Sequence, residues 1–145
     1  MNPLDVYEAR LEDPADEEAA YAFCARLAGS RRGDFPVARR FASRRLRPHF
    51  EALYAFSRIA RDIAEAPEHE GARRERLLEW RRRLQEMGKG PDLHPVFLAL
   101  DKTMREFSLP APLLDDLVGA CLQDAEKPRY ATFDELSGLC RRAAN

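Results

Sequence analysis

Between Tyr54 and Glu65 the chain reads Tyr-Ala-Phe-Ser-Arg-Ile-Ala-Arg-Asp-Ile-Ala-Glu. This stretch holds the residues whose types and spacing can do chemistry. Asp62 and Glu65 are three apart, which makes them neighbours on one face of a helix. Two carboxylates so placed can hold hydrated Mg2+, a hard cation that bridges protein carboxylates to substrate phosphates. Arg58 lies one turn before Asp62, within reach of a phosphate oxygen. The same spacing also fits a plainer pattern. Arg58–Asp62 and Arg61–Glu65 are four apart, and such ion pairs are each worth roughly 0.2–0.5 kcal/mol on an exposed helix. The apolar company is what favours a site, because charges within a buried helix need partners or a task.

Other chemistries find little support. There is no Cys-x-x-Cys, and His49, His69 and His94 are not spaced as paired ligands on one helical face, which argues against zinc. No Gly-rich phosphate loop and no Gly-x-Ser-x-Gly turn is present. Ten arginines lie from Arg26 to Arg61, against only Asp34 and Glu51. This is either a solvated arginine-rich surface or an electropositive mouth for a polyanion such as diphosphate. Aromatic residues are not interleaved for base stacking, and the whole chain carries a net charge of -1, so no nucleic-acid partner is expected.

The elements that must position Arg58, Asp62 and Glu65 are helices. Residues 1–15 are acidic, carry Pro3 and Pro14, and read as a loose leader; a helical domain is expected over residues 16–145. A first helix is expected from about Asp16 to Ala28, ended by Gly29. A basic loop and a short helix near Phe35 follow. A long helix covers roughly Arg45 to Ala66, with Pro48 tolerated only in its first turn and Pro67 stopping it. It is apolar around most of its circumference, with Ala52, Phe56, Ile59 and Ile63 on one side and Leu53, Tyr54, Ser57 and Ala60 on another, as expected of a buried central helix.

The next helix, about Glu70 to Met87, points Leu77, Leu78, Trp80 and Leu84 inward and Arg73, Arg74, Arg81 and Arg82 to water. Helices at 94–107 and from Pro110 to about Asp124 come next. The last opens on Thr132 and Glu135, the spacing of a capping box. About seven helices with short links imply an all-α bundle.

The 145 residues are 45% hydrophobic and 34% charged, with 24 basic against 25 acidic residues, enough for one domain with a real core and unlike a disordered chain. Every uncharged stretch falls far short of the roughly 20 apolar residues a membrane span needs. No signal peptide is visible at the N-terminus. Cys24, Cys121 and Cys140 are odd in number and far apart, which fits a reducing cytoplasm better than a disulfide frame. A cytoplasmic setting is expected, with contact at the membrane periphery left open.

Several motifs, in order, resemble the squalene/phytoene synthase family. They are Phe35-Pro36-Val37-Ala38, then Arg44-Arg45-Leu46-Arg47-Pro48-His49 leading into Leu53-Tyr54-Ala55-Phe56-Ser57-Arg58, then His94-Pro95-Val96-Phe97. Arg129-Tyr130-Ala131-Thr132-Phe133-Asp134-Glu135-Leu136 and Cys140-Arg141-Arg142-Ala143-Ala144-Asn145 complete the series. The Phe-Pro-Val-Ala segment is most similar to the bacterial hopanoid-pathway branch that makes hydroxysqualene. The match runs from about residue 20 to the end.

The resemblance implies the N-terminal part of the isoprenoid-synthase helical bundle, in a Mg2+-dependent prenyltransferase acting on an allylic diphosphate such as farnesyl or presqualene diphosphate. It implies Asp62 and Glu65 as metal ligands, Arg58 at the diphosphate, and Tyr54 and Phe35 on the substrate cavity. The chain also departs from the family. The family motif usually reads Asp-Asp-x-x-Asp, and here it is Arg61-Asp62-Ile63-Ala64-Glu65, with a cation where a first ligand is expected. The second aspartate-rich helix does not appear either. These departures lead to the expectation that the chain is inactive alone and that its apolar face is covered by a second copy or a partner chain. The alternative is a non-catalytic interaction or assembly protein on the same fold.

Overall fold

The computed structural model describes residues 2–29, 43–90 and 92–126. Phe35, the basic loop around it, Cys140 and the expected last helix lie outside the described residues. Six α-helices are described: α1 (Pro3–Tyr7), α2 (Glu17–Gly29), α3 (Arg47–Glu65), α4 (Arg73–Gln85), α5 (Pro95–Phe107) and α6 (Ala111–Glu126). A 3-10 turn, Pro67–His69, links α3 to α4. Among the described residues there is no strand, and the architecture is all-α as expected.

Within the expected leader, residues 2–11 pack against the bundle. The Asn2 side chain accepts the Leu4 N–H at 2.8 Å and Pro3 opens α1, a start suited to both residue types. Val6 is buried, and beyond the helix the Leu11 N–H donates to the Leu93 carbonyl at 2.8 Å. Five helical residues are too few to show a period; tertiary contacts hold this segment in place.

Helix α2 starts where Asp16 accepts the Ala19 N–H at 2.9 Å, with Glu17 and Glu18 at the positive end of the helix dipole. It buries Ala20, Phe23, Cys24 and Leu27 against α3 and α5. Helix α3 is central, packing on α1, α2, α4, α5 and α6. Ala52, Ala55, Phe56, Ile59, Ala60 and Ile63 are buried, while Leu53, Tyr54, Ser57 and Ala64 are half-buried and Arg61 is exposed. The helix is therefore one-sided rather than apolar all round. Pro48 does sit in its first turn.

Helix α4 buries Leu77, Trp80 and Leu84, but Leu78 is 41% exposed. One residue on from Leu77, it is turned about 100° away from the core stripe. Two arginines expected in water are engaged instead. Arg73 donates to the Ile63 carbonyl at 3.0 Å, and Arg81 holds Asp115 of α6 through two bonds of 2.9 and 2.8 Å. The helix ends at Gln85, short of the expected Met87, and Gly88 supplies the φ of 87° that the following turn requires. His94 caps α5. Helix α6 packs on α4 and α3 and buries Val118 and Leu122. No helix among the described residues is long and apolar enough to cross a membrane.

Candidate functional site

The polar residues of α3 fall along one line of the helix, from Glu51 through Tyr54 and Arg58 to Asp62 and Glu65. Glu51 and Arg58 are buried despite their charge, at 4% and 7% exposure. The Arg58 guanidinium meets Asp62 Oδ1 at 2.9 Å, and the Asp62 side chain is 14% exposed. This is a shielded ion pair, unlike the solvated pairs of a surface helix. No Arg61–Glu65 pair forms among the described residues; both side chains are exposed. Of the two pairings the spacing allows, only the shielded one is made. The Ser57 hydroxyl donates to the Leu53 carbonyl at 3.0 Å, so it serves the helix backbone. Tyr54 is half-buried, its hydroxyl oxygen sealed from solvent.

Helix α6 adds a feature that spacing along α3 could not reveal. Burial raises the pKa of the Cys121 thiol; Asp124 and Glu65 push the same way and Arg61 opposes them. Cys121 and Asp124 thus share an electrostatic environment with the Arg61–Glu65 end of α3. The three-residue step from Cys121 to Asp124 marks a common helix face, but nothing in the sequence says which helix that face meets.

Among the described residues no group of three His, Cys, Asp or Glu side chains is gathered as a metal site. Asp62 and Glu65 offer oxygen donors on one helix, and Asp62 commits one oxygen to Arg58. That donor set suits a hydrated Mg2+ ion that takes its remaining oxygens from water and a substrate phosphate, and does not suit an all-protein cage. The three histidines have separate structural duties. His49 Nδ1 lies 2.9 Å from Thr103 Oγ1, which in turn lies 2.8 Å from the Tyr21 hydroxyl, tying α3, α5 and α2 together. His69 Nδ1 accepts from Arg76 at 3.0 Å, and His94 caps α5. A groove of about 1040 Å³ opens elsewhere, between residues 7–14 and the α4–α5 turn, and includes none of Tyr54, Arg58, Asp62 or Glu65.

Residues 29–145 match the family model for squalene/phytoene synthase. The chain belongs to the squalene/phytoene synthase family. It is 26% identical over 130 residues to the 15-cis-phytoene synthase of Synechocystis sp., a match that covers 90% of this chain and 39% of that protein. Its fold superposes on the crystal structure of squalene synthase HpnC from Alicyclobacillus acidocaldarius with a TM-score of 0.70 at 29% identity, covering 97% of this chain and 50% of the other. The fold is thus the isoprenoid-synthase helical fold, and the chain spans half or less of the length of these relatives.

Proposed function

We propose that this helical unit supplies one wall of a prenyl-diphosphate site in a prenyltransferase of the squalene/phytoene synthase type. The observation that carries this reading is the shielded Arg58–Asp62 pair on the central helix, with Glu65 one turn further along. A guanidinium has five N–H donors in a fixed fork. Arg58, which holds Asp62 through Nη2, is the residue assigned to the diphosphate oxygens, where charge-assisted bonds are strongest. Asp62 and Glu65 are the residues that would hold magnesium, which when bound neutralises the charge of the departing diphosphate. Arg58 fixes the Asp62 carboxylate. Tyr54, partly sealed on the same line of the helix, and Phe35 are assigned to the walls that keep water from the reacting hydrocarbon. A hopanoid-pathway product such as hydroxysqualene, made from farnesyl or presqualene diphosphate, is the finer form of the same proposal.

Two carboxylates, one of them shared with Arg58, form an incomplete donor set, so little turnover is expected from the 145-residue chain by itself. Binding is the sharper test. Titration of farnesyl diphosphate, followed calorimetrically with and without Mg2+, should show metal-dependent binding that disappears in Asp62→Ala. Equal binding by the Asp62→Ala variant, or none by the unaltered chain, overturns the assignment.

Arg61 favours a second reading, an interaction or assembly protein on the same fold. Arg61 is exposed beside Asp62, where its positive charge would disfavour a metal ion. In that case Arg61→Asp should leave partner binding by the chain unchanged. If the substitution instead creates Mg2+ binding that the unaltered chain lacks, the fold keeps a disabled metal site. On either reading the apolar residues left half-exposed on α3 suit a covering chain, be it a second copy or another protein.

A further inference from the structure

Residues 2–11 are held to the bundle at a buried imidazole. His94 is fully buried, between the ring of Phe23 on α2, that of Trp80 on α4 and that of Phe97 on α5. Its Nε2 lies 2.9 Å from the Val6 carbonyl, and its Nδ1 lies 3.1 Å from the Val96 N–H. The two partners dictate the tautomer. A carbonyl only accepts, so Nε2 carries the hydrogen; a backbone N–H only donates, so Nδ1 is bare. A second proton has nowhere to go: on Nδ1 it would face the Val96 N–H, donor against donor. Protonation must therefore turn the ring out of the α5 cap, and the same movement takes Nε2–H away from Val6.

We propose that His94 is an acid-sensitive clasp that docks residues 2–11 onto the helical bundle near neutral pH and releases them as the pH falls. The charged groups around it do not undo this. Arg83 of α4 opposes protonation. Asp92, in the turn before α5, favours it but is itself engaged by two bonds from Arg83 and by the His94 N–H. The Val6 and Tyr7 backbones also favour protonation through hydrogen bonding, and α2 presents the Phe23 ring. Burial is the dominant force and pushes the imidazole down to about 4.

The sign follows from that shift. The docked state excludes the proton while the released state, with an ordinary imidazole near 6.5, takes it up. Docking is complete above pH 6.5 and weakens about tenfold per pH unit as the pH falls towards 4. Release would also dismantle a wall of the groove that Tyr7, Ala9, Arg10 and Pro14 form with Met87 and Phe97.

Amide hydrogen exchange on the 145-residue chain tests this, with protection factors corrected for intrinsic rate. The Leu11 amide, bonded to the Leu93 carbonyl, reports docking, and the Ile59 amide of α3 reports global unfolding. Leu11 should be less protected than Ile59 at every pH and lose protection with a one-proton slope below pH 6.5, while the His94 ring stays neutral by nuclear magnetic resonance to well below that value. In His94→Gln the slope should vanish. Equal protection at Leu11 and Ile59 overturns the proposal. So does a slope that persists in His94→Gln, which would assign the proton to His69 beside Tyr7. Should His94→Gln not fold, the ring titration and the Leu11–Ile59 comparison in the unaltered chain decide: a ring that protonates near 6.5 with Leu11 still protected also overturns it.

Discussion

Cys24 has no exposed surface on α2, and burial, with Glu51 nearby, pushes its thiol up to about 12. The thiolate is the reactive form, so at pH 8 this cysteine is both shielded and protonated. Iodoacetamide at pH 8, followed by peptide mapping, should leave Cys24 unmodified in the folded chain and alkylate it fully once urea is added. Cys121 is half-buried, its thiol likewise raised by burial, and it should react slowly in the folded chain. Labelling of Cys24 as fast as that of Cys121 would show that α2 does not stay packed on α3. The same logic separates Arg58 from Arg61. The two are three residues apart on one helix, yet one is buried against Asp62 and the other stands in solvent. Sequence spacing treats the Arg58–Asp62 and Arg61–Glu65 pairs alike, and only packing distinguishes them.

The elements show a comparable division between local and tertiary information. Helix α3 leaves its last carbonyls without intrahelical partners, and Arg73 of the following helix reaches back to the Ile63 and Glu65 carbonyls at 3.0 and 3.4 Å. Arg73→Ala should therefore cost about 1–2 kcal/mol, more than a solvated surface arginine would. Urea denaturation checks this against Arg105→Ala, whose side chain is 71% exposed; equal losses would remove the capping role.

Helices α2 to α6 could be read in the sequence because apolar residues recur at helical spacing and Pro48, Pro67, Gly88 and Pro95 punctuate them. Helix α1 could not, since five residues with one buried valine carry no period and their docking depends on His94 and Leu93, some ninety residues away. Leu78 was misplaced because two adjacent leucines leave the direction of the stripe ambiguous by one position. On the site itself, Arg58, Asp62 and Glu65 stood out as charges inside an apolar helix. The Cys121 and Asp124 face of α6 did not, because its proximity to Arg61 and Glu65 is set by how α6 packs on α3.

At the scale of the molecule, the helices converge on Trp80. Its ring is fully buried, stacked on Phe56 of α3 with centroids 5.7 Å apart and tilted against Phe97 of α5 at 4.5 Å. Tyr7 of α1 and His94 complete the surround at 6.0 and 5.1 Å. Four helices thus meet at one side chain, whereas the Arg58–Asp62 pair joins two residues of the same helix. Loss of the indole should propagate in a way that loss of the carboxylate does not. Trp80→Ala removes a large buried ring and should cost about 3–5 kcal/mol. Domains of this size are stable by only about 5–15 kcal/mol in all, so the variant should sit near or beyond its unfolding midpoint. Far-ultraviolet circular dichroism in urea, used because the substitution removes the one tryptophan, should show the midpoint collapsing in Trp80→Ala and falling by clearly less in Asp62→Ala, which leaves the shielded Arg58 without its carboxylate. A Trp80→Ala variant within about 1 kcal/mol of the unaltered chain would mean that the helices cohere through other contacts. An Asp62→Ala variant as unstable as Trp80→Ala would mean that Asp62 holds the fold together, and its effect on diphosphate binding could no longer be assigned to the site.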